Sequence, residues 1–179
     1  MMSDCAKTSS NSCSPCSGGD RVCDDGRKVV DKELTLPPKI AVLACEGGCV
    51  KGEIARVAAN MLAYRLERDK AVRICLGDAA TGNSGMLELV KRAPVVIAVE
   101  GCPLQCGTEI MRYRVPDLKT TVINASTLYE FDRSKYFEIF DMPREEIDAY
   151  AAKVAQHIQQ KYFRECCPGQ DSSCCGCSS

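Results

Sequence analysis

The sequence predicts an α/β fold: a three-layer α/β/α sandwich around a mostly parallel four-stranded sheet, of the Rossmann or flavodoxin type, with Cys-rich flexible termini. Apolar runs of strand length alternate with helical stripes four times over residues 39–163, a pattern typical of a parallel sheet with crossover helices. The run over residues 95–99 is unbroken, as in a strand that is buried on both faces. The chain of 179 residues is long enough for one ordinary core.

The chain divides into three predicted parts. Residues 1–37 are rich in Ser, Gly, Asp and Cys and have few large apolar side chains, so we predict a Cys-rich flexible arm. Residues 38–165 contain the alternating strands and helices of the α/β domain. Residues 166–179 have no apolar pattern and are predicted to form a Cys-rich tail.

Four short apolar runs supply the predicted strands, which comprise residues 39–44, 71–76, 95–99 and 120–123. The first strand is followed by a helix whose apolar residues recur at helical spacing from Ile54 to Leu62. The second strand precedes a Gly-rich turn and a short helix that begins at Met86. After the third strand, Pro103 suits the first position of a helix, where its missing N–H costs nothing.

The last part of the domain predicts a packed loop and a long helix. Residues 129–140 are rich in aromatic side chains, which favours a loop that covers one edge of the sheet. A helix is predicted to begin near Pro143, because Glu145 and Glu146 would complement the dipole of its first turn. His157 lies beside the apolar stripe of this helix, so we predict a solvated surface histidine rather than a ligand.

Composition and charge exclude several classes of function. The chain has 23 basic and 24 acidic residues, a balance that does not favour nucleic acid or an acidic membrane surface as a partner. No apolar run is long enough to span a bilayer. The N-terminus lacks the apolar region of a signal peptide. We therefore expect a cytoplasmic protein whose partner is a metal ion, with neither nucleic acid nor membrane bound.

The chain has 14 cysteines and a single histidine. In a reducing compartment so many cysteines indicate metal or redox chemistry rather than a disulfide framework. With histidine nearly absent, any metal site must be built mainly from sulfur. The distribution of the cysteines therefore decides where such a site lies.

Five cysteines of the domain are predicted to meet at the carboxyl edge of the sheet. Cys45 and Cys49 follow the first strand, and Cys102 and Cys106 follow the third, each pair with C-x3-C spacing. Cys75 lies near the end of the second strand. With the strand order 2-1-3-4, the first and third strands are neighbours at the point where ligands bind in open α/β sheets. We predict a shared metal or redox site there, with Cys102 and Cys106 in the positive first turn of a helix.

The arms carry accessory cysteines for which two interpretations stay open. Cys13 and Cys16 form a C-x2-C pair, with Cys23 as a further ligand, but the second C-x2-C of a zinc ribbon is missing. These cysteines are either incidental to a disordered tail or an accessory metal clip. The C-terminal tail adds a second candidate group: Cys166, Cys167, Cys174, Cys175 and Cys177.

The domain resembles the DGC domain family, whose members are proposed to bind zinc and which is named after an Asp-Gly-Cys motif. That motif here is Glu100-Gly101-Cys102-Pro103-Leu104-Gln105-Cys106. The opening motif of the family is similar to residues 45–52, and its Cys-Leu before a Gly-rich turn is similar to residues 75–77. The resemblance covers about residues 39–124 and implies four zinc ligands: Cys45, Cys75, Cys102 and Cys106.

Two positions depart from the family pattern. Glu100 stands in place of the aspartate of the naming motif and keeps its carboxylate. Cys49 stands where the family usually has serine, which adds a fifth candidate ligand and leaves the ligand set open.

Zinc binding is the leading functional hypothesis, with Zn²⁺ held by clustered thiolates. The Cys-Cys and Cys-x-Cys pairs of the tail suit thiophilic metals generally, so handling of a thiophilic metal or metalloid is a hypothesis they motivate. One alternative is a thiol or metalloid reductase in which Cys102 attacks and Cys106 resolves. Its C-x3-C spacing differs from that of thioredoxin, and residue 51 is not the arginine of a C-x5-R anion cradle. Further alternatives are an iron–sulfur module and an interaction domain with unliganded cysteines.

Overall fold

The computed structural model describes residues 22–163 except 83, 133, 135 and 137. The strands of the described residues are β1 (Ile40–Ala44), β2 (Ala71–Arg73), β3 (Val96–Glu100) and β4 (Thr121–Asn124). The α-helices are α1 (Asp24–Leu34), α2 (Val50–Met61), α3 (Leu76–Thr81), α4 (Met86–Arg92), α5 (Cys106–Arg114) and α6 (Arg144–Tyr162). A π-helical turn, Leu62–Leu66, continues α2, and two 3-10 turns lie at Ala125–Thr127 and Ile139–Asp141.

The four strands form one parallel sheet in the order β2-β1-β3-β4. This is the predicted order, and it is that of the first four strands of a flavodoxin-type sheet. In the register, Val42 pairs with Ile97 and Ile97 with Thr121. All five residues of β3 are buried, because helices cover both faces of the sheet at its centre. The predicted α/β fold class is confirmed.

Two apolar clusters make the three layers. On one face Ile54 of α2 and Ile158 of α6 pack against strand residues such as Val42. On the other face Val30 of α1 and Met111 of α5 pack with the helices between β2 and β3. The core thus lies on both sides of β1 and β3, and it holds the carboxyl ends of these two strands in fixed positions.

The second strand is shorter than predicted, and a helix begins where the prediction had strand. β2 ends at Arg73, and α3 begins at Leu76. The Ile74 N–H still bonds the Val42 carbonyl at 3.0 Å, but Cys75 is already the N-cap of α3. The apolar run continues through Leu76 because that side chain, although it belongs to α3, is buried in the same apolar cluster as Val72 and Ile74.

Part of the predicted flexible arm is a helix. α1 packs beside α4, with Val30 completely buried, and Arg92 of α4 donates to the carbonyls of Leu34 and Leu36 at 2.9 and 2.8 Å. The sequence did not predict α1 because the helix buries only a narrow stripe and its other residues are mostly polar. Cys13 and Cys16 of the arm lie outside the described residues, as do the tail cysteines from Cys166 to Cys177.

The C-terminal predictions agree with the structure at their main points. α6 begins directly after Pro143, with Glu145 and Glu146 in its first turn, and His157 is exposed. In the aromatic loop the Tyr129 ring is buried against Tyr150, with ring centroids 5.0 Å apart. No helix within the described residues is both long and apolar enough to cross a membrane.

A buried carboxylate joins the first turns of α2 and α6. Glu53, whose side chain is 9% exposed, accepts two hydrogen bonds from Arg56 at 2.8 Å and one from Arg144 at 2.9 Å. Burial alone would raise the pKa of Glu53. The hydrogen bonds and positive charges of Arg56 and Arg144 together outweigh this effect, so the pKa of Glu53 lies below its ordinary value. The ion pair therefore stabilises the fold only while this carboxylate is ionised.

We predict that acid selectively removes the stabilisation that Glu53 provides. A carboxylate whose pKa is depressed on folding contributes fully above its unfolded value of about 4.3, and the contribution is lost as the pH falls through the folded value. Glu53→Gln should lower the free energy of unfolding by about 1–3 kcal/mol near neutral pH. Urea unfolding at neutral pH and at about pH 3.5 measures whether this difference shrinks on acidification. The control is Glu109→Gln, an exposed carboxylate of α5 that pairs with Arg112 and contacts neither Arg56 nor Arg144. A difference that stays constant with pH would contradict the prediction.

Candidate metal centre

A buried carboxylate fixes the end of β3 to the start of α5. Glu100 is 1% exposed, and its oxygens accept the Thr108 N–H at 2.6 Å, the Thr108 hydroxyl at 2.7 Å and the Gly107 N–H at 3.4 Å. These amides belong to the first turn of α5, whose N–H groups have no partner within the helix. Glu100 therefore takes the part of a helix cap from the preceding strand, and it sets where Cys106 begins the helix.

The helix after β3 begins later than predicted. α5 starts at Cys106, and the residues before it form a turn in which the Gln105 N–H donates to the Cys102 carbonyl at 3.3 Å. Gln105 has a left-handed backbone conformation with φ of 53°. The reason is that Glu100 caps the amides of Gly107 and Thr108, so the helix cannot extend back to Pro103. Only Cys106 is in the first turn, and Cys102 is half-buried in the turn before it.

Two glycines allow the turns after β1 and β3 to touch. A Cβ atom on Gly101 would lie 2.6 Å from the backbone nitrogen of Gly52, at the start of α2. A Cβ atom on Gly52 would lie 3.1 Å from Sγ of Cys45. Any larger side chain at Gly101 would push the two turns apart, because its neighbours there are backbone atoms. Close backbone approach thus brings the two C-x3-C segments together.

Cys45 is the sulfur at the meeting point of these turns. The half-buried thiol accepts backbone hydrogen bonds from Gly47 and Gly101, and Glu100 and Cys106 lie close enough to act on its charge. Burial is the largest influence and raises the pKa of Cys45; the two backbone bonds lower it, and the negative neighbours raise it again, with a net upward shift. A cation at this point would offset the same negative charges and favour the thiolate.

The other cysteines of the predicted site lie at the starts of helices. Cys49 is the N-cap of α2 and Cys75 is the N-cap of α3, and both are exposed, as is Cys106. Cys75 lies near Arg73, on the far side of β1 from β3. Among the residues described, no three His, Cys, Asp or Glu side chains stand close enough together to hold a metal ion. The turns that carry Cys45 and Cys102 are in close contact at this edge, and Cys49, Cys75 and Cys106 stand at the starts of the helices that follow the strands.

The fold and the motifs agree with one protein family. The profile of the DGC domain matches residues 41–157, about two thirds of the chain. The chain belongs to the DGC domain family. The match contains all five cysteines of the DGC domain and none of those in the two arms. Comparison with curated proteins gives no match, and comparison with solved structures gives none either.

The direction of α6 limits which tail cysteines can reach the site of the DGC domain. α6 runs parallel to α2, because Arg144 bonds Glu53 at the start of α2 and Gln159 bonds Glu67 beyond its end at 2.8 Å. Its 19 residues therefore lead about 28 Å away from the cysteine edge.

A few residues separate the end of α6 from the first tail cysteines. The chain from Phe163 to Cys167 spans at most about 14 Å, so neither Cys166 nor Cys167 can reach Cys45 of the same chain. The chain from Phe163 to Cys174 spans at most roughly 40 Å, which covers the distance only when it is nearly extended.

The N-terminal arm, in contrast, leaves from the cysteine edge. Cys23 is the N-cap of α1; its Sγ accepts the Gly26 N–H at 3.3 Å, and its own N–H donates to Ser84 Oγ at 3.1 Å. A Cβ atom on Gly26 would lie 2.6 Å from Asp78, in the first turn of α3 after Cys75. Cys23 therefore lies near the first turn of α3, which directly follows Cys75.

Sequence reasoning missed the residues that support the cysteines. Thr108 contributes two of the three hydrogen bonds to Glu100, and Gly52 accommodates Cys45. The sequence did contain a signal for Thr108: a carboxylate at Glu100 precedes a helix start that carries a hydroxyl side chain, and such a carboxylate can accept hydrogen bonds from the first turn. Gly52 was included only as the last residue of the family's opening motif over residues 45–52, and that motif does not reveal its contact with Cys45.

Proposed function

We propose that this DGC domain protein binds zinc through thiolates at the carboxyl edge of its sheet. The observation that carries the proposal is the close backbone approach of the two cysteine-bearing turns. A Cβ atom on Gly101, before Cys102, would lie 2.6 Å from the nitrogen of Gly52, and one on Gly107, after Cys106, would lie 3.3 Å from the carbonyl oxygen of Ala44, before Cys45. The proposed ligands are Cys45, Cys75, Cys102 and Cys106, and Cys49 is the fifth candidate. Thiolates are preferred ligands of Zn²⁺, and the chain offers five of them at this edge.

The surrounding backbone supports a negatively charged cluster of sulfurs. Three of the five cysteines stand at helix N-termini: Cys49 at α2, Cys75 at α3 and Cys106 at α5. Four thiolates around Zn²⁺ carry net negative charge, which these positive helix ends and the N–H groups on Cys45 offset. We propose a role in handling a thiophilic metal, with the Cys-rich arms as accessory ligands.

The proposal predicts a colourless protein with about one zinc per chain after purification without oxygen. Elemental analysis and a visible spectrum would be recorded for the wild type beside the double variant Cys102→Ser/Cys106→Ser, in which the zinc should be lost. A brown protein that contains iron and sulfide would contradict zinc binding and would indicate an iron–sulfur cluster at this site. Protein without metal, or a double variant with undiminished zinc, would contradict it.

A truncated chain separates the arms from the site. Removal of residues 166–179 should leave the single zinc of the domain in place and remove only metal in excess of it. Loss of the domain's zinc on truncation would show that the tail supplies a ligand and would contradict the ligand set proposed above.

The geometry gives little support to the reductase alternative built on Cys102. The hydrogen bonds described for Glu100 all go to the start of α5, and none joins this carboxylate to the Cys102 thiol. The helix dipole favours a reactive thiolate in the first turn of a helix, and Cys102 lies outside the first turn of α5.

A further inference from the structure

A cleft of about 820 Å³ runs along the outer edge of β2. Strand residues 71–73 form its floor, α1 forms one wall, and the end of α2 with its π-helical turn forms the other. Its size is within the range of pockets for small organic ligands. Cys75 lines one end, so the cleft begins beside the proposed metal centre and extends away from it.

The basic group at the floor of this cleft has no counterion. Arg73 donates from Nε to Asn60 Oδ1 at 3.0 Å and from Nη1 to the backbone carbonyls of Val42 and Ile74, all of them neutral acceptors. No carboxylate of the described residues lies within ion-pair distance of Arg73. Arg73 is half-buried and its acceptors are all neutral, so its positive charge is suited to an anion from outside.

The rest of the lining fits an anion that carries an apolar or planar body. Arg68 and Lys32 add exposed positive charge, while Glu33 is neutralised by Lys39 at 3.0 Å. Glu46 is an exposed acid at the end near Cys75 and forms no ion pair with Arg73. The Tyr64 ring is 62% exposed in the π-helical turn, an element that is frequent at functional sites.

We propose that this cleft binds a small organic anion, with a carboxylate or phosphate on the Arg73 guanidinium and a planar or apolar group against Tyr64. Because Nε and Nη1 of Arg73 already donate to Asn60 and to two backbone carbonyls, the two N–H donors of Nη2 are the ones that would bind the oxyanion. The proposal goes beyond metal binding and is independent of it, because none of the contacts that hold Arg73 involves a cysteine.

Calorimetric titration of the full chain tests the proposal with matched probes. AMP has an oxyanion and a planar body, adenosine has the body alone, inorganic phosphate has the oxyanion alone, and benzoate replaces the phosphate by a carboxylate. AMP or benzoate should bind with a Kd below about 1 mM, and whichever binds more tightly identifies the oxyanion. Adenosine should bind at least about tenfold more weakly than AMP.

Substitutions locate the binding in the cleft. Arg73→Gln should weaken binding at least about tenfold, and Tyr64→Ala should weaken it severalfold without altering the fold, since that ring is largely exposed. The control is Arg112→Gln, an exposed arginine that pairs with Glu109 on α5. The proposal is overturned if neither anion binds, if adenosine binds as tightly as AMP, or if Tyr64→Ala and Arg73→Gln bind as the control does. Zinc content measured on the same samples separates this result from the fate of the metal proposal.

Discussion

Replacing Cys45 with serine is expected to abolish stoichiometric zinc binding by this DGC domain protein. Cys45 is the sulfur on which both turns converge, and the backbone N–H groups of Gly47 and Gly101 already face it. Loss of an outer-shell partner costs a metal site about 10–100-fold in affinity, and loss of a direct thiolate ligand should cost more. Serine keeps the size and the hydrogen bonds of the side chain, so a structural effect is kept small.

The measurement is competition for zinc against a chromophoric chelator, made without oxygen on the full chain. The matched control is Cys23→Ser, which changes a cysteine that caps α1 and does not contact Cys45. The control should retain one zinc with the wild-type affinity. An unchanged zinc affinity in Cys45→Ser would show that Cys45 is not a zinc ligand and would contradict the proposed site.

A Cys49→Ser variant decides the question that the sequence left open. Cys49 caps α2 without a side-chain hydrogen bond and is exposed. Since the family usually has serine at this position, we expect this variant to keep its zinc. Loss of zinc would instead make Cys49 a ligand in place of one of the implied four.

The fold was predictable from sequence because it depends on patterns that repeat over many residues. The alternation of apolar runs and helical stripes gave the parallel sheet, and β1, β3 and β4 lie within one residue of their predicted bounds. The end of β2 was not predictable, because Leu76 is as apolar as a strand residue and is buried in the same cluster as Val72 and Ile74, although it belongs to α3. Periodicity cannot tell which neighbour buries a given side chain.

The candidate site was predictable only in its general position. The C-x3-C pairs at strand ends indicated the carboxyl edge, and the structure brings the turns that carry Cys45 and Cys102 into close contact there. The start of α5 was wrongly predicted at Pro103 because the proline preference is local, whereas the cap on α5 comes from Glu100 on the preceding strand. A carboxylate that acts across the loop leaves no periodic pattern in the sequence.

Replacing Glu100 with alanine should destabilise the whole domain and not only the metal centre. The change leaves two amides and the Thr108 hydroxyl without their acceptor in a buried place. Unsatisfied buried donors cost about 1–3 kcal/mol each, so we expect a loss of about 3–5 kcal/mol in the free energy of unfolding. Stability totals only about 5–15 kcal/mol in an ordinary domain, which makes this the largest structural effect we predict.

A graded series separates the cap from the charge. Glu100→Gln keeps an oxygen for the Thr108 amide and should cost about 1–2 kcal/mol, and Thr108→Val, which removes one donor, about 1 kcal/mol. Urea unfolding of these variants and of their double mutant measures the coupling between the two side chains. Zinc affinity should fall in the same order, because the cap holds Cys106 at the start of α5. If Glu100 and Thr108 share a hydrogen bond, the double mutant should lose less stability than the sum of the two single substitutions. Strictly additive losses would contradict the capping role.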